Sequence, residues 1–163
     1  MHNKLGRRSP PWRPAGTGRR NEARRGKNFL RRAVDQAAKA RATGDAPFGS
    51  LLVGPNGDVL AEDRNTVLTD NDISAHPELK LARWAARELD AETAAGTTLY
   101  TSCEPCGMCA GALARSGVGR VVFALSNAQL AELKPGGGFP AVPSEGPSSL
   151  EEAVRAVIAG YYS

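Results

Sequence analysis

His76-Pro77-Glu78, followed after a gap by Pro105-Cys106-Gly107-Met108-Cys109, is the pair of segments on which the reading of this chain turns. His76, Cys106 and Cys109 are nitrogen and sulfur donors of the kind zinc prefers, and Glu78 is a carboxylate left over beside them. A structural zinc site is usually closed by four protein ligands, whereas a catalytic one keeps three and leaves the fourth position to water. Zinc lowers the pKa of such a water to about 7, and a neighbouring carboxylate can then move its protons. The pattern points to hydrolytic zinc chemistry with Zn2+ held by His76, Cys106 and Cys109 and with Glu78 as the catalytic proton carrier.

Two other readings compete for the same residues. Cys103, Cys106 and Cys109 are spaced three apart, so His76 could complete a closed Cys3His site in a non-enzymatic zinc module. That arrangement leaves Glu78 without a task, and Cys103 closes a strand-like run, Thr97-Thr98-Leu99-Tyr100-Thr101-Ser102, outside the following helix. A small buried thiol is the plainer reading of Cys103. A disulfide fits less well, because three cysteines cannot all pair.

Helical spacing favours the open site. A helix beginning at Pro77, a favoured first-turn residue, places Glu78, Leu81, Ala82, Ala85 and Leu89 on one face. Glu78 then falls on the buried face, where an unpaired carboxylate costs several kcal/mol. The plainer role of a first-turn glutamate, to complement the helix dipole, does not call for burial. Cys106, Cys109, Ala110 and Leu113 share a second such face, with the two thiols projecting together from one helix end.

Working outward, the pattern predicts helix over 28–43 ended by Gly44, a hairpin of 48–53 and 59–63 around Pro55-Asn56-Gly57-Asp58, and then the loop carrying His76. Helix 77–90, strand 97–102, helix 106–116 and strand 120–125 follow. A short helix is expected over 127–133, a breaker-rich loop over 134–140, and a last helix over 149–161 started by Ser149. The alternation of helix and strand predicts a three-layer α/β sandwich with a mixed sheet. Trp84 lies off the apolar face of its helix beside Lys80, Arg83 and Arg87, either as a subunit contact or as a solitary exposed ring.

Of 163 residues, the first 27 hold nine Lys/Arg against one Glu, a charge of +8, and the rest hold twelve against sixteen, a charge of −4. The overall +4 is thus the property of a low-complexity leader, residues 1–27, expected to be disordered. Residues 28–163 form the expected enzyme domain, long enough to bury one core. The leader also fits a nucleic-acid arm, and its basic residues are the chain's strongest attractor for phosphate. No apolar run approaches the ~20 residues of a membrane span, and the leader has no apolar signal-peptide core, so the default expectation is a cytoplasmic protein without a membrane partner.

These residues resemble the cytidine and deoxycytidylate deaminase superfamily, whose zinc nucleobase deaminases carry H-x-E and P-C-x-x-C. The resemblance runs from about residue 28 to 133. Its most specific part is Leu99-Tyr100-Thr101-Ser102-Cys103-Glu104-Pro105-Cys106-Gly107-Met108-Cys109-Ala110-Gly111-Ala112-Leu113, then Gly119-Arg120-Val121-Val122-Phe123. Thr101-Ser102-Cys103-Glu104 is closer to the guanine deaminase wording than to that of the tRNA adenosine deaminases, which are cousins. The resemblance implies a three-layer α/β/α sandwich with a mixed five-stranded sheet and a homodimer.

By the same resemblance, Asn65 orients the substrate base, the backbone carbonyl of Glu104 steers the attacking water or leaving ammonia, and Phe48 forms a wall of the pocket. An aromatic beside Gly49 at a strand start is equally often core. Pro77 departs from the family, which has a small residue there whose N-H binds a ring carbonyl; proline has none. The substrate oxygen then needs another donor, or the preferred ring lacks an acceptor at that point.

The favoured function is zinc-dependent hydrolytic deamination of a guanine-, cytosine- or aminotriazine-type base, or a nucleoside, with release of ammonia. A tRNA adenosine-to-inosine deaminase is the alternative. The negative charge of residues 28–163 argues against the basic groove that phosphate binding requires.

Overall fold

The computed structural model describes residues 16–134, 136, 138–147 and 149–162. Residues up to Leu133 form one compact unit, and those from Lys134 onward form another. The first unit runs α1 (Gly16–Ala42), β1 (Gly49–Val53), β2 (Val59–Arg64), α2 (Pro77–Glu88), α3 (Ala91–Ala95), β3 (Thr98–Cys103), α4 (Gly107–Ser116), β4 (Arg120–Leu125) and α5 (Asn127–Leu133).

The sheet is mixed, with order β2-β1-β3-β4. β1 is antiparallel to both β2 and β3, and β3 is parallel to β4. That parallel pair needs a crossover, and α4 supplies it.

Strand alternation sends successive side chains to opposite faces, and the core divides accordingly. Leu51 and Val53 meet Ala33, Phe29 and Tyr100 on the α1 face. Leu52 and Leu99 meet Leu81, Ala82, Ala85 and Leu113 of α2 and α4 on the other. Each leucine so buried contributes about 1.5–3 kcal/mol. Gly49 permits the α1 packing, because a Cβ there would sit 2.4 Å from the Ala33 carbonyl oxygen. α4 stops at Gly117, whose φ of 82° lies in the left-handed region that glycine enters without steric cost.

Several expectations are corrected. The sheet has four strands among the described residues, not five. After α5 the chain passes into the proline- and glycine-rich residues 134–147, which offer no β-forming run to add beside β4. α1 begins at Gly16, so the helix expected from residue 28 continues back through residues 16–27; residues 1–15 of the leader lie outside the described residues. The helix expected over 77–90 ends at Glu88, and Asp90 instead caps α3 by accepting from the Thr93 N-H at 2.8 Å. Trp84 packs, half-buried, against the α2/α4 core.

The second unit contains α6 (Glu151–Ile158). Its N-cap is Leu150, without a side-chain cap, in place of the expected Ser149. Arg155 pairs with Glu151 one turn away, and the Lys134 ammonium lies 5.5 Å from the Phe139 ring centre. Among the described residues no helix is long and apolar enough to cross a membrane.

Candidate metal centre

Two helix starts and one strand end converge at the site. His76 is the N-cap of α2, with Pro77 at the first helical position and Glu78 next to it. Cys106 is the N-cap of α4, and Cys109 lies one turn inside. β3 ends at Cys103, immediately before. The positive ends of two helix dipoles therefore face the same point and favour negative ligands there.

His76 Nδ1 lies 3.7 Å from Cys106 Sγ and 3.5 Å from Cys109 Sγ. The three donor atoms all fall within 4.8 Å of one another. A tetrahedral zinc with its usual bond lengths of about 2.0–2.1 Å to nitrogen and 2.3 Å to sulfur separates those atoms by roughly 3.6 Å. The two nitrogen–sulfur separations are thus already those that zinc imposes, and three donors leave one position of the tetrahedron over. Cys103 is buried and stands outside this group, so among the described residues the metal-binding cluster has three members and the Cys3His arrangement is not formed.

Glu78 is 5 % exposed and its two oxygens are differently engaged. Oε1 accepts from the Thr101 hydroxyl at 2.8 Å, and Thr101 in turn accepts from the Ser50 hydroxyl at 2.9 Å. Oε2 lies 3.9 Å from Cys109 Sγ, toward the metal-binding group. Burial pushes the Glu78 carboxyl above the usual carboxylate range, with the backbone, the Thr101 hydroxyl and His76 opposing the rise. Burial and the facing Glu78 carboxylate likewise push the Cys109 thiol up. A bound cation inverts that balance, because a coordinating thiol is deprotonated outright.

A cavity of about 70 Å³ opens onto the group, and Phe48, His76, Glu78, Glu104 and Cys106 line it together with Cys103. Asn127 and Leu130 of α5 complete the wall. Five of the expected site residues are thus brought together. Asn65 is not in that wall: it is 1 % exposed, donates its N-H to the Phe48 carbonyl at 2.9 Å, and accepts the Val67 N-H on Oδ1 at 3.1 Å. The Glu104 carboxylate accepts the Asn127 N-H at 2.8 Å, and Asn127 Nδ2 reaches the Pro105 carbonyl at 3.4 Å, which fixes α5 at the mouth.

Thr101, Ser50, Asn127, Leu130 and Lys80 were not anticipated. Lys80 Nζ donates to Asp63 Oδ1 at 2.7 Å, to the Arg64 carbonyl at 2.8 Å and to Thr66 Oγ1 at 3.1 Å. It thereby ties the segment carrying Asn65 to the helix carrying Glu78. Thr101 did leave a signal, since it is a polar residue on the same strand face as Leu99, where the pattern calls for an apolar one.

The family model for the cytidine and deoxycytidylate deaminase zinc-binding region matches residues 23–125. A probable cytosine deaminase of Schizosaccharomyces pombe is 39% identical over 108 residues, 64% of this chain and 63% of that protein. The guanine deaminase of Bacillus subtilis is 40% identical over 105 residues, 64% of this chain and 67% of its own length. Its X-ray structure superposes with a TM-score of 0.65 at 30% identity, covering 80% of this chain and 91% of that one. A tRNA-specific adenosine deaminase of Haemophilus influenzae is 35% identical over 99 residues, 61% of this chain and 57% of that protein. The chain thus spans somewhat under two-thirds of several of the relatives it matches.

Proposed function

This chain belongs to the cytidine and deoxycytidylate deaminase family, and from that premise we propose that it hydrolyses the amino group from a free nucleobase or related aminated heterocycle. Guanine, cytosine and aminotriazines are the candidate substrates, with a nucleoside as a variant of the same reading. The observation that carries it is the placement of Glu78, buried beside the three donors with Oε1 held by Thr101 and Oε2 turned toward Cys109. A structural zinc site has no use for such a carboxylate.

Zinc, when held by His76, Cys106 and Cys109, supplies Lewis-acid activation of water at neutral pH. Glu78 Oε2 would take one proton from the attacking water, whose oxygen bonds to the amino-bearing carbon, and deliver that proton to the adjacent ring nitrogen. It then passes the second proton to the amine, so that ammonia leaves and a ring carbonyl remains. Proton transfer of this kind is typically worth 10² to 10⁴ in rate. The hydrogen bond to Thr101 keeps Oε1 out of the exchange.

Phe48 provides an apolar wall for the ring and the Glu104 backbone carbonyl steers water or departing ammonia, while Asn65, which does not line the cavity and holds the Val67 N-H on Oδ1, is not given the base-orienting role expected of it. Pro77 offers no N-H, which directs the substrate's ring acceptors to other donors and narrows the choice of base. The same reading has the protein act as a homodimer in the cytoplasm.

The tRNA-deaminating reading draws on the tRNA-specific relatives and on the basic residues before residue 28. The excess of acidic residues in 28–163 weighs against it. An ammonia-release assay with aminated purines, pyrimidines and triazines, and with a tRNA anticodon stem-loop alongside, decides between the two. Turnover of the stem-loop without turnover of any free base would overturn the free-base reading.

A further inference from the structure

α1 carries a feature that deamination does not use. Arg20, Arg24, Lys27 and Arg31 recur at i, i+4, i+7 and i+11, which at 100° per residue confines them to a sector of ~60°. They run about 16 Å along the helix axis and all four are exposed. The opposite side of α1, with Ala33, Ala37 and Ala40, is buried. The stripe therefore lies on the side of α1 away from Leu51 and Val53, with Lys27 and Arg31 bordering, together with Ala124 of β4, an open cavity at the sheet edge. Glu22 lies about half a turn round the helix, and Asp35 marks the end of the basic run.

The other basic residues of this stretch are differently placed. Arg32 pairs with Glu62 of β2, and Arg25 lies beside Gly57 in the β1–β2 turn, both on a side of α1 facing the hairpin. The ion pairs among the described residues are Arg32–Glu62, Lys80–Asp63 and Arg155–Glu151. None involves Arg24, Lys27 or Arg31, and the exposed acidic residue nearest these three along the ridge is Asp35, one turn beyond Arg31.

We infer that the stripe Arg20-Arg24-Lys27-Arg31 is a docking surface for a nucleic-acid backbone, held through its phosphates and without base recognition. Cations repeating once per helical turn along a straight ridge match a linear polyanion, and binding follows from release of its counterions. Arginine adds two-pronged hydrogen bonds to phosphate oxygens. An anionic membrane fits less well. Surface-bound helices insert an apolar face opposite the basic one, and here that face is occupied by the sheet, through Phe29, Ala33 and Leu51. The inference does not depend on the identity of the deaminated base, because no residue of the stripe lines the cavity at Glu78.

The test is fluorescence anisotropy of the full chain with a fluorescein-labelled oligouridylate across a salt series, with phosphatidylserine vesicles as a second probe. Arg24→Gln/Lys27→Gln/Arg31→Gln should weaken oligouridylate binding at least about tenfold at low salt. It should also reduce the slope of log K against log salt by about 2, near 0.7 for each phosphate contact on a single strand. Arg24→Gln and Arg31→Gln alone should each remove about 0.7 of that slope. Melting temperature, zinc content and ammonia release from a small substrate should stay at the parent's values. Arg25→Gln/Arg32→Gln, which changes charge on the hairpin side, should alter affinity less than about threefold. Equal losses from the two sets would mean that only total charge matters and would overturn the stripe. So would an unchanged Kd in the triple variant, or vesicle binding through these residues without oligouridylate binding.

Discussion

The Thr101 hydroxyl donates to Glu78 Oε1 at 2.8 Å across the α2/β3 contact, and the Ser50 hydroxyl of β1 stands behind it at 2.9 Å. Both hydroxyl residues are fully buried. A carboxylate with one oxygen so held presents only the other to the metal-binding group. That division of labour inside one side chain is the structural basis for assigning proton transfer to Oε2.

Thr101→Val keeps the strand-forming shape and removes the donor. Hydrogen bonds to charged groups are worth about 1.5–3 kcal/mol, so kcat should fall by roughly tenfold or more while KM changes little and zinc stays bound. Thr101→Ser should recover most of the loss. Steady-state kinetics with metal analysis checks this, and equal losses in valine and serine variants would assign Thr101 to packing alone.

Glu78→Gln preserves size and can still receive the Thr101 hydroxyl, but it cannot carry a proton. Turnover should drop by at least about 10²-fold, with metal content and melting temperature near the parent's. Retention of more than about a tenth of the activity would remove Glu78 from the mechanism.

Single cysteine replacements separate the ligands from the bystander. Cys106→Ala and Cys109→Ala should each lose zinc and, with it, folding free energy. Cys103→Ala should keep one zinc per chain by atomic absorption. Loss of stoichiometric zinc from Cys103→Ala alone would restore the closed Cys3His arrangement.

Asp45 links the end of α1 to the loop that leads to His76. Its Oδ1 accepts from the Leu68 and Thr69 N-H groups at 2.9 and 3.0 Å, and Oδ2 accepts from the Thr43 and Thr69 hydroxyls. The Thr69 hydroxyl and N-H, with help from Thr43 and Leu68, hold the carboxyl below its ordinary range. A group depressed in the folded state stabilises above its unfolded pKa, near 3.9 for Asp, and that contribution is lost as pH falls through the folded value. The parent should therefore lose melting temperature below about pH 4. Asp45→Asn should start lower at pH 7 and change less across the same acid window. Parallel acid curves for the two proteins would exclude Asp45 as a source of the dependence.

Much of the site was legible because its parts are local in the chain. Cys106 and Cys109 sit at a spacing that one helix start displays on one side, His76 and Glu78 flank Pro77 at another helix start, and the donor atoms of His76, Cys106 and Cys109 lie within 4.8 Å of one another. The β4 and α5 boundaries, 120–125 and 127–133, also follow from periodicity and agree with the observed elements. The start of α1 is not legible in the sequence, because charge density before residue 28 suggests disorder, whereas Arg and Lys are good helix formers and the helix extends to Gly16.

The sequence by itself determined the donor set, the extra carboxylate and the order of helices and strands, because ligand type, short spacing and apolar period are properties of neighbouring residues. Tertiary structure alone decided which Glu78 oxygen is held, since Thr101 is 23 residues away and Ser50 a further 51 from Thr101. It also set Cys103 apart from the metal group, kept Asn65 out of the cavity lining, and left a sheet of four strands among the described residues. Each of these depends on strand register and on which helix packs over which strand face, and such long-range pairings leave no periodic trace in the chain.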